Sequence, residues 1–564
     1  MYTLGINYLS ESSVCLFKKN KLVYAISEER LNRKKNWYGI PILSIQKTLQ
    51  DNKLKKKDIK YVATHGLSAL TKDTPDVAYF NEKIKKIQNS KLELKQKRYL
   101  IIKLKQRQLH EKKVIEVRTK NILAKLKKMF KNLEIFDHHL SHAASTYYFS
   151  KFNSAYTLTI DGWGDNASSK LFKSINGKLI ELKKTNTIDS LGYFYGSFTK
   201  LLGFTPHKHE GKVLGLAAYA SPRKAISEIN KIFTYNKKIK NFEGLTHKGF
   251  YLPSFNNILL KRLKRKYTRE EIASAVQKKL EDTVLAYVND ISNKRFNLAL
   301  AGGVFSNVKL NQKILLQKKV NNIFIFPNMG DGGLCVGAAA LCINKKKGFK
   351  KFSFENMYLG PKYNVKNLNW FLKKYNLREI KTNNNDKFIA KNLNKKKIFA
   401  LFQGRMEFGP RALCNRSIIC SAEDAGINKS LNKKLKRTEF MPFAPIVLKS
   451  EYNKYFYKIE KTLINSKFMT MTFDCKKELL EVAPAIVHVD KTARPQIIDK
   501  RTNPKIYNIL KEYKKISGFG VLINTSFNMH EEPIVCSVDD ACRAFVSSNI
   551  NYLIIGDRIF KNWR

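Results

Sequence analysis

Apolar and polar residues alternate from the first positions of the chain. Residues 3–8, 14–17 and 22–27 read as short strands, and the polar turn Lys18-Lys19-Asn20-Lys21 predicts a hairpin between the second and third. Residues 168–172 and 178–183 repeat that arrangement around Asn176-Gly177, while the period changes to a helical one over 190–202 and 269–292. The apolar runs 296–300 and 323–326 stop at Ala301-Gly302-Gly303 and at Pro327-Asn328-Met329-Gly330-Asp331, each ahead of a helical pattern. With the turn at Asp161, these are three strand ends of the kind that present backbone N–H groups to phosphates in α/β proteins. None is a Walker A loop or a dinucleotide-binding G-x-G-x-x-G. An α/β fold with a nucleotide cleft is the expectation.

The basic stretch 345–351 interrupts the pattern. Beyond it the sequence predicts strands at 398–402, 468–472, 483–489 and 520–524 and helices at 422–435, 504–516 and 538–547. Two domains follow, 1–345 and 355–564, the first carrying a basic helical insertion over 83–131.

A chain of 564 residues is too long for one core, and 43% hydrophobic residues is enough to build several. No run approaches the roughly 18 apolar residues of a membrane span, and the N-terminus reads as a strand and not a signal peptide, so a cytoplasmic location is expected. Eight cysteines without a C-x-x-C pair argue against a zinc ribbon and against a disulfide framework. The net charge of +59 would ordinarily point to a polyanionic partner. Lysine is abundant everywhere, however, including loops, as a general composition bias would make it. The 83–131 block therefore reads as a solvated arm with an apolar stripe at Leu100, Ile101, Ile102 and Leu104, and nucleic acid is not the expected partner.

The chemistry concentrates at two places. In Asp137-His138-His139-Leu140-Ser141-His142, His138 and His142 lie four residues apart on a predicted helix and so share a face, as ligands of one metal must. Oxygen donors on the Asp-Gly turns at 159–165 and 328–333 would complete a site suited to iron, manganese or zinc. Further on, Arg405, Arg411 and Arg416 surround a Gly-Pro turn. Lys434, Lys436, Arg437 and Arg494 follow, and then the run Asn524-Thr525-Ser526-Phe527-Asn528. Arginines in turns beside amide and hydroxyl side chains hold phosphates by forked hydrogen bonds.

Taken in order, these motifs resemble the O-carbamoyltransferases of nodulation and antibiotic tailoring. The resemblance also rests on Ser27-Glu28-Glu29-Arg30, Glu210-Gly211-Lys212-Val213-Leu214-Gly215, Gly302-Gly303-Val304-Phe305-Ser306-Asn307, Glu407-Phe408-Gly409-Pro410-Arg411-Ala412-Leu413 and Arg494-Pro495-Gln496. It implies an actin-like (ASKHA) two-lobed N-terminal domain and a C-terminal domain like that of the YrdC proteins. It also implies a two-stage reaction: carbamoyl phosphate and ATP give carbamoyl-AMP, and the carbamoyl group then passes to a hydroxyl of a sugar or secondary metabolite. By the same resemblance His138, His142, Asp161 and Asp331 are the metal ligands, for Fe2+ foremost or Mn2+ or Zn2+, with Mg2+ an option beside ATP. Arg411, Arg437 and Arg494 become catalytic candidates. Glu210, Lys212, Gly302, Gly303, Asn307, Gly330, Gly332, Arg416, Lys436, Asn524, Ser526 and Asn528 become nucleotide- and substrate-binding candidates, Lys434 competing with Lys436. His139 is either a general base on the acceptor or a buried orienting residue, and a homodimer is expected by analogy. The chain departs from its relatives at Ser10-Glu11, where many carry His-Asp, and at Met441, where arginine is common. Two alternatives stand beside it: an enzyme of the transfer-RNA threonylcarbamoylation type, which would use the same folds, and a non-catalytic protein whose basic arm of residues 83–131 grips an anionic polymer, with Ser10 in its favour.

Overall fold

The computed structural model describes residues 1–67, 77–111, 116–253, 258–363, 368–436 and 442–562. The chain divides into two compact units, one of residues 1–9 and 57–352 and one of residues 10–56 and 353–564.

In the first unit, strands Tyr2–Asn7, Ile59–His65 and Leu133–Phe136 run parallel. Its second sheet starts with an antiparallel meander, Ser154–Gly164, Ala167–Ile175 and Lys178–Thr185. Phe296–Ala301 and Val320–Ile325 then add in parallel on the other side of Ser154–Gly164. The predicted hairpin of the opening segment forms between Ser13–Lys18 and Lys21–Ser27 and belongs to the second unit. Along the chain the same succession thus occurs twice: a strand, an antiparallel hairpin, then two strands parallel to the first. This repeated succession is the signature of the actin-like fold, with helices between the parallel strands as right-handed crossovers require.

The helix His138–Tyr147 starts where the Asp137 carboxylate accepts the N–H of Leu140 at 2.7 Å. It packs between the second sheet and helix Leu334–Lys347, whose residues from Leu334 to Ile343 are all buried. A helix apolar on every side belongs in a core. The helix Arg269–Asn289 begins with a capping box between Thr268 and Glu271.

The insertion forms helices Val77–Gln88, Leu94–His110 and Glu116–Met129. The expected solvated arm is corrected here. Phe80, Ile87, Leu100 and Leu104 share a core with Ile188 and Tyr251, and Lys83 is buried, whereas Ile102 of the anticipated stripe is exposed.

The second unit is built on an eight-stranded mixed sheet in the order Leu377–Ile380, Arg558–Asn562, Tyr552–Ile555, Phe399–Phe402, Arg416–Cys420, Val521–Ser526, Ala444–Leu448, Gln496–Ile498. Helix Pro504–Ser517 shows the expected asymmetry of ends, with Asn503 capping, Pro504 at the first position and left-handed Gly518 closing it. Two expected strands are absent. At 468–472 the Thr470 hydroxyl and amide both turn back to the carbonyl of Asn465, and at 483–489 Pro484 opens a short 3-10 turn. All eight cysteines are free and buried. Among the described residues no helix is long and apolar enough to cross a membrane.

Candidate functional site

In the first unit, ligand atoms of His138, His142, Asp161 and Asp331 all lie within 4.8 Å of one another. Each is delivered by a local rule already legible in the chain. The imidazoles come from successive turns of one helix, Asp161 from within the strand Ser154–Gly164, and Asp331 from the glycine turn after Val320–Ile325. His142 Nε2 sits 3.0 Å from Asp161 Oδ2 and 3.5 Å from Asp331 Oδ1, and His138 Nε2 lies 3.7 and 3.9 Å from the same two oxygens. Gly164 is required beside this cluster, because a Cβ there would come within 2.2 Å of His138 Cδ2.

The electrostatics are those of a cation site. Burial and the neighbouring Asp161 charge push the Asp331 carboxyl up. Burial pushes Asp161 the same way, but the adjacent imidazoles of His138 and His142 override it and hold that carboxyl well below the usual range. Burial would lower His142, yet its bond to Asp161 and the nearby Asp331 carboxylate raise it to about 9. Without a metal, a proton on His142 therefore balances the carboxylates. Buried His138 Nε2 and Asp331 Oδ1 have no hydrogen-bond partner, as expected of atoms arranged for an ion. Two neutral imidazoles and two carboxylates would neutralise a divalent cation and match the donor preferences of iron, manganese or zinc, so the residues fit such a group.

His139 points away from this convergence. Its ring is fully buried, Nδ1 meeting the Thr159 hydroxyl at 2.9 Å and Nε2 the Ala167 carbonyl at 3.2 Å. Burial, reinforced by the charges of His138 and His142, keeps it neutral. With both nitrogens engaged it orients the helix, and the general-base alternative is dropped.

His65 escaped the sequence reading. It is buried edge-on to His138 with ring centres 5.6 Å apart, and its Nε2 lies 2.9 Å from Asn7 Oδ1. The available signal was the strand-then-glycine pattern of His65-Gly66, the same pattern that marked the other turns. Asp165 was also missed: it accepts the N–H of His138 at 2.7 Å and fixes the start of the ligand helix.

The glycine turns interlock. The Gly302 N–H donates to Met329 O at 2.8 Å and Gly333 N–H to Gly330 O at 3.0 Å, with Gly303 beside Asp161 and Gly332 beside Asn328. Asn307 is a helix cap: its Oδ1 accepts Leu310 N at 3.0 Å and its Nδ2 donates to Gln277 at 2.8 Å, which commits the side chain to structure. Glu210 opens the helix Glu210–Leu216 and accepts the N–H of His207 at 2.6 Å, with Lys212 buried two residues on.

In the second unit the loop from Glu407 to Arg416 is organised by one carboxylate. Glu407 Oε1 accepts the N–H groups of Leu413, Asn415 and Arg416 at 2.7, 2.7 and 3.0 Å. The loop carries Arg411, and the guanidiniums of Arg411 and Arg494 lie close enough to repel. Burial lowers Arg411 to about 10, partly offset by the Glu11 carboxylate, and burial together with the Arg411 charge pushes Arg494 well below its ordinary range. The Nε–H of each is buried without a partner, as is Asn524 Oδ1, whose Nδ2 holds Ala412 O at 3.1 Å and Gln496 at 2.8 Å. Two adjacent guanidiniums with buried, unpartnered Nε–H groups are what an anion would satisfy.

Arg416 corrects the expectation made of it. Fully buried, it donates to the carbonyls of Gln403, Asn415 and Gly404 and stacks over Phe402, 3.9 Å from the ring centre, so it is a core strut and meets no anion. Ser526 donates to Asn528 Oδ1 at 2.6 Å, while Asn528 Nδ2 holds Met529 O and Glu532 O. Lys436 is exposed and Lys434 is tied to Asn549 O at 2.8 Å, which leaves Lys436 the more available cation. Arg437 and Met441 lie outside the described residues.

An actin-like unit gathering imidazoles and carboxylates, joined in one chain to an α/β unit with paired arginines, defines a two-module group-transfer enzyme. The particular group is given by comparison: residues 2–340 match the family model for the carbamoyltransferase N-terminus and residues 390–562 that for the carbamoyltransferase C-terminus. The chain belongs to the carbamoyltransferase family. It is 34% identical to an uncharacterized protein of Methanocaldococcus jannaschii over 99% of both chains. It is 27% identical to nodulation protein NolNO of Sinorhizobium fredii over 98% of this chain and 79% of that protein. Among solved structures, component A of (R)-2-hydroxyglutaryl-CoA dehydratase from Acidaminococcus fermentans is similar with a TM-score of 0.35 and 14% identity, covering 61% of this chain and 98% of that one.

Proposed function

We propose that the protein is an ATP- and metal-dependent O-carbamoyltransferase working in two stages. In the first, at the YrdC-like second unit, carbamoyl phosphate, ATP and one water yield carbamoyl-AMP, phosphate and pyrophosphate. Arg411 and Arg494 fork onto the phosphate of carbamoyl phosphate, and their charges offset the negative charge that builds on the departing phosphate. Asn524, bonded through Nδ2 to Ala412 and Gln496, the near neighbours in sequence of the two arginines, keeps Oδ1 unpartnered and can accept from the carbamoyl NH2 group. The Glu407 carboxylate holds the intervening loop in register by its three N–H bonds.

In the second stage, at the first unit, the carbamoyl carbon is attacked by an acceptor hydroxyl on a sugar or secondary metabolite, and AMP leaves. His138, His142, Asp161 and Asp331 would hold a divalent metal, with iron foremost and manganese or zinc as alternatives. When bound it supplies a Lewis acid for the carbonyl. The chain's own contribution is to exclude water by burying both imidazoles, to keep His139 neutral behind them, and to fix the helix through Asp137 and Asp165.

The observation that carries this reading is the convergence of four ligand atoms within 4.8 Å from four separate positions. The test is to incubate purified protein with carbamoyl phosphate, ATP and each divalent ion in turn and to assay carbamoyl-AMP and pyrophosphate by mass spectrometry. The reading fails if neither accumulates with any metal. A threonine-dependent adenylate would instead favour the transfer-RNA type of chemistry.

A further inference from the structure

The basic insertion reads as a solvated arm on the sequence, yet it is fastened at two points to the same seven residues. At the first, Lys83 Nζ donates to Asp189 Oδ1 at 3.1 Å, to Glu243 Oε1 at 3.3 Å and to Gly244 O at 3.3 Å, with Lys83 and Asp189 1% and 0% exposed. Tyr79 donates to the other Asp189 oxygen. At the second, Arg107 pairs with Glu111 at 2.6 Å, Glu111 accepts the Thr187 hydroxyl at 2.6 Å, and Arg107 lies over the Tyr193 ring, 5.4 Å from its centre. Both fastenings grip the segment from Thr187 to Tyr193.

That segment is the seat of a candidate metal ligand. Ser190 Oγ donates to the main-chain carbonyl of Asp161 at 3.2 Å. Gly192 passes so close that a Cβ there would lie 2.7 Å from the same oxygen. Asp161 Oδ2 in turn holds His142 Nε2 at 3.0 Å. A continuous chain of bonds therefore runs from the insertion through residues 187–193 to the carboxylate of the cluster.

We propose that the helical insertion is a positioning element of the metal centre, in which Lys83 and Arg107 fix the segment Thr187–Tyr193 so that it seats Asp161 in its ligating orientation. The inference rests on the metal reading proposed above. A fully paired, buried Lys83 on a chain otherwise covered in solvated lysines has a structural reason to exist only where it anchors something. What it anchors is the support of a ligand. Groups that support a ligand in this way typically shift metal affinity by about 10- to 100-fold when removed.

The experiment uses the full chain with Co2+ as the probe, reading affinity by titration and ligand geometry from the visible absorption bands. Wild type is expected to bind one equivalent. Arg107→Met, and the paired change Lys83→Met with Asp189→Asn, are expected to weaken Co2+ binding by about 10- to 100-fold and to alter the bands. Arg107→Lys is expected to restore part of the affinity. Ser190→Ala, which keeps the ion pairs of both fastenings and removes the bond to Asp161 together with the helix cap on the Tyr193 N–H, guards against variants that fail to fold and is expected to weaken binding by about 3- to 10-fold. Arg107→Met added to Ser190→Ala should have less effect than alone, since both act through one seat. Folded variants that keep wild-type Co2+ affinity and bands overturn the positioning role while leaving the metal reading intact. A wild type that binds no Co2+ overturns both.

Discussion

The ligand cluster of the first unit and the arginine pair of the second are opposites in charge and alike in construction. In one, Asp161 and Asp331 face two imidazoles with Asp331 Oδ1 and His138 Nε2 buried and unpartnered; in the other, Arg411 and Arg494 crowd together with their Nε–H groups and Asn524 Oδ1 in the same condition. Each leaves buried polar atoms unsatisfied, an arrangement that stays folded at a cost of about 1–3 kcal/mol per group unless a ligand repays it. Arg416 is the control. Equally buried, and with its own Nε–H also unpartnered, it donates its terminal nitrogens to three carbonyls and so braces the fold. Neither burial of a charge nor one unpartnered Nε–H distinguishes function from structure; the partners of the terminal nitrogens do.

The sharpest way to break this comparison is to disable one site and watch the other. His142→Ala removes a ligand from the helix without touching the second unit, and is expected to eliminate bound metal and lower acceptor carbamoylation by more than about 100-fold. Carbamoyl-AMP formation should persist, as measured by mass spectrometry alongside metal analysis. If adenylate formation falls in step with the metal, the two sites are not the separate stages argued above.

The reciprocal change is Arg494→Met. It should leave metal content untouched and weaken use of carbamoyl phosphate by about 10- to 100-fold, the worth of a charged hydrogen-bonded fork. Arg494→Lys keeps the charge without the planar geometry and should recover only part. Steady-state kinetics of pyrophosphate release decide it, and a wild-type KM for carbamoyl phosphate in Arg494→Met would remove the pair from that substrate's site. Arg416→Met is the matched contrast: about 2 kcal/mol of stability lost through stranded carbonyls, read by thermal unfolding.

Legibility in the sequence followed the range of the forces involved. The ligand helix and the three glycine turns could be read because capping, i,i+4 spacing and strand-ending glycines are local rules; those rules nominated His138, His142 and the two Asp-Gly turns, and the family resemblance singled out Asp161 and Asp331 within them. Strands Arg416–Cys420, Ala444–Leu448 and Tyr552–Ile555 were not foreseen, since buried central strands are nearly continuous in apolar residues and lose the alternation that marks a strand. Arg411 and Arg416 are five residues apart and chemically identical in sequence. That Arg416 meets carbonyls depends on strand pairing, because Arg416 lies opposite Phe402 and so beside the Gln403 and Gly404 carbonyls, and single-residue patterns do not give that register. The same limit applied to Lys83, one lysine among many until the fold enclosed it.

The smallest effect tests the third kind of charge cluster, the one that compensates itself. Burial pushes the Glu243 carboxyl up, but the hydrogen bond from Asn236 and the charges of Lys83 and Lys86 outweigh it and hold it at about 2, below its ordinary 4.5. A carboxyl depressed in the folded state contributes stability that is fully present above about 4.5 and disappears as pH falls through about 2. After allowance for solvent screening the contribution is on the order of 1 kcal/mol. Glu243→Gln should therefore be less stable than wild type at pH 6, and the gap should close between pH 4.5 and pH 2 in denaturant titrations. Curves that stay parallel across that interval would mean that the carboxylate's charge contributes nothing and that Lys83 is held by Asp189 alone. The first fastening would then lean on one buried ion pair instead of a network, and Asp189→Asn by itself should loosen it.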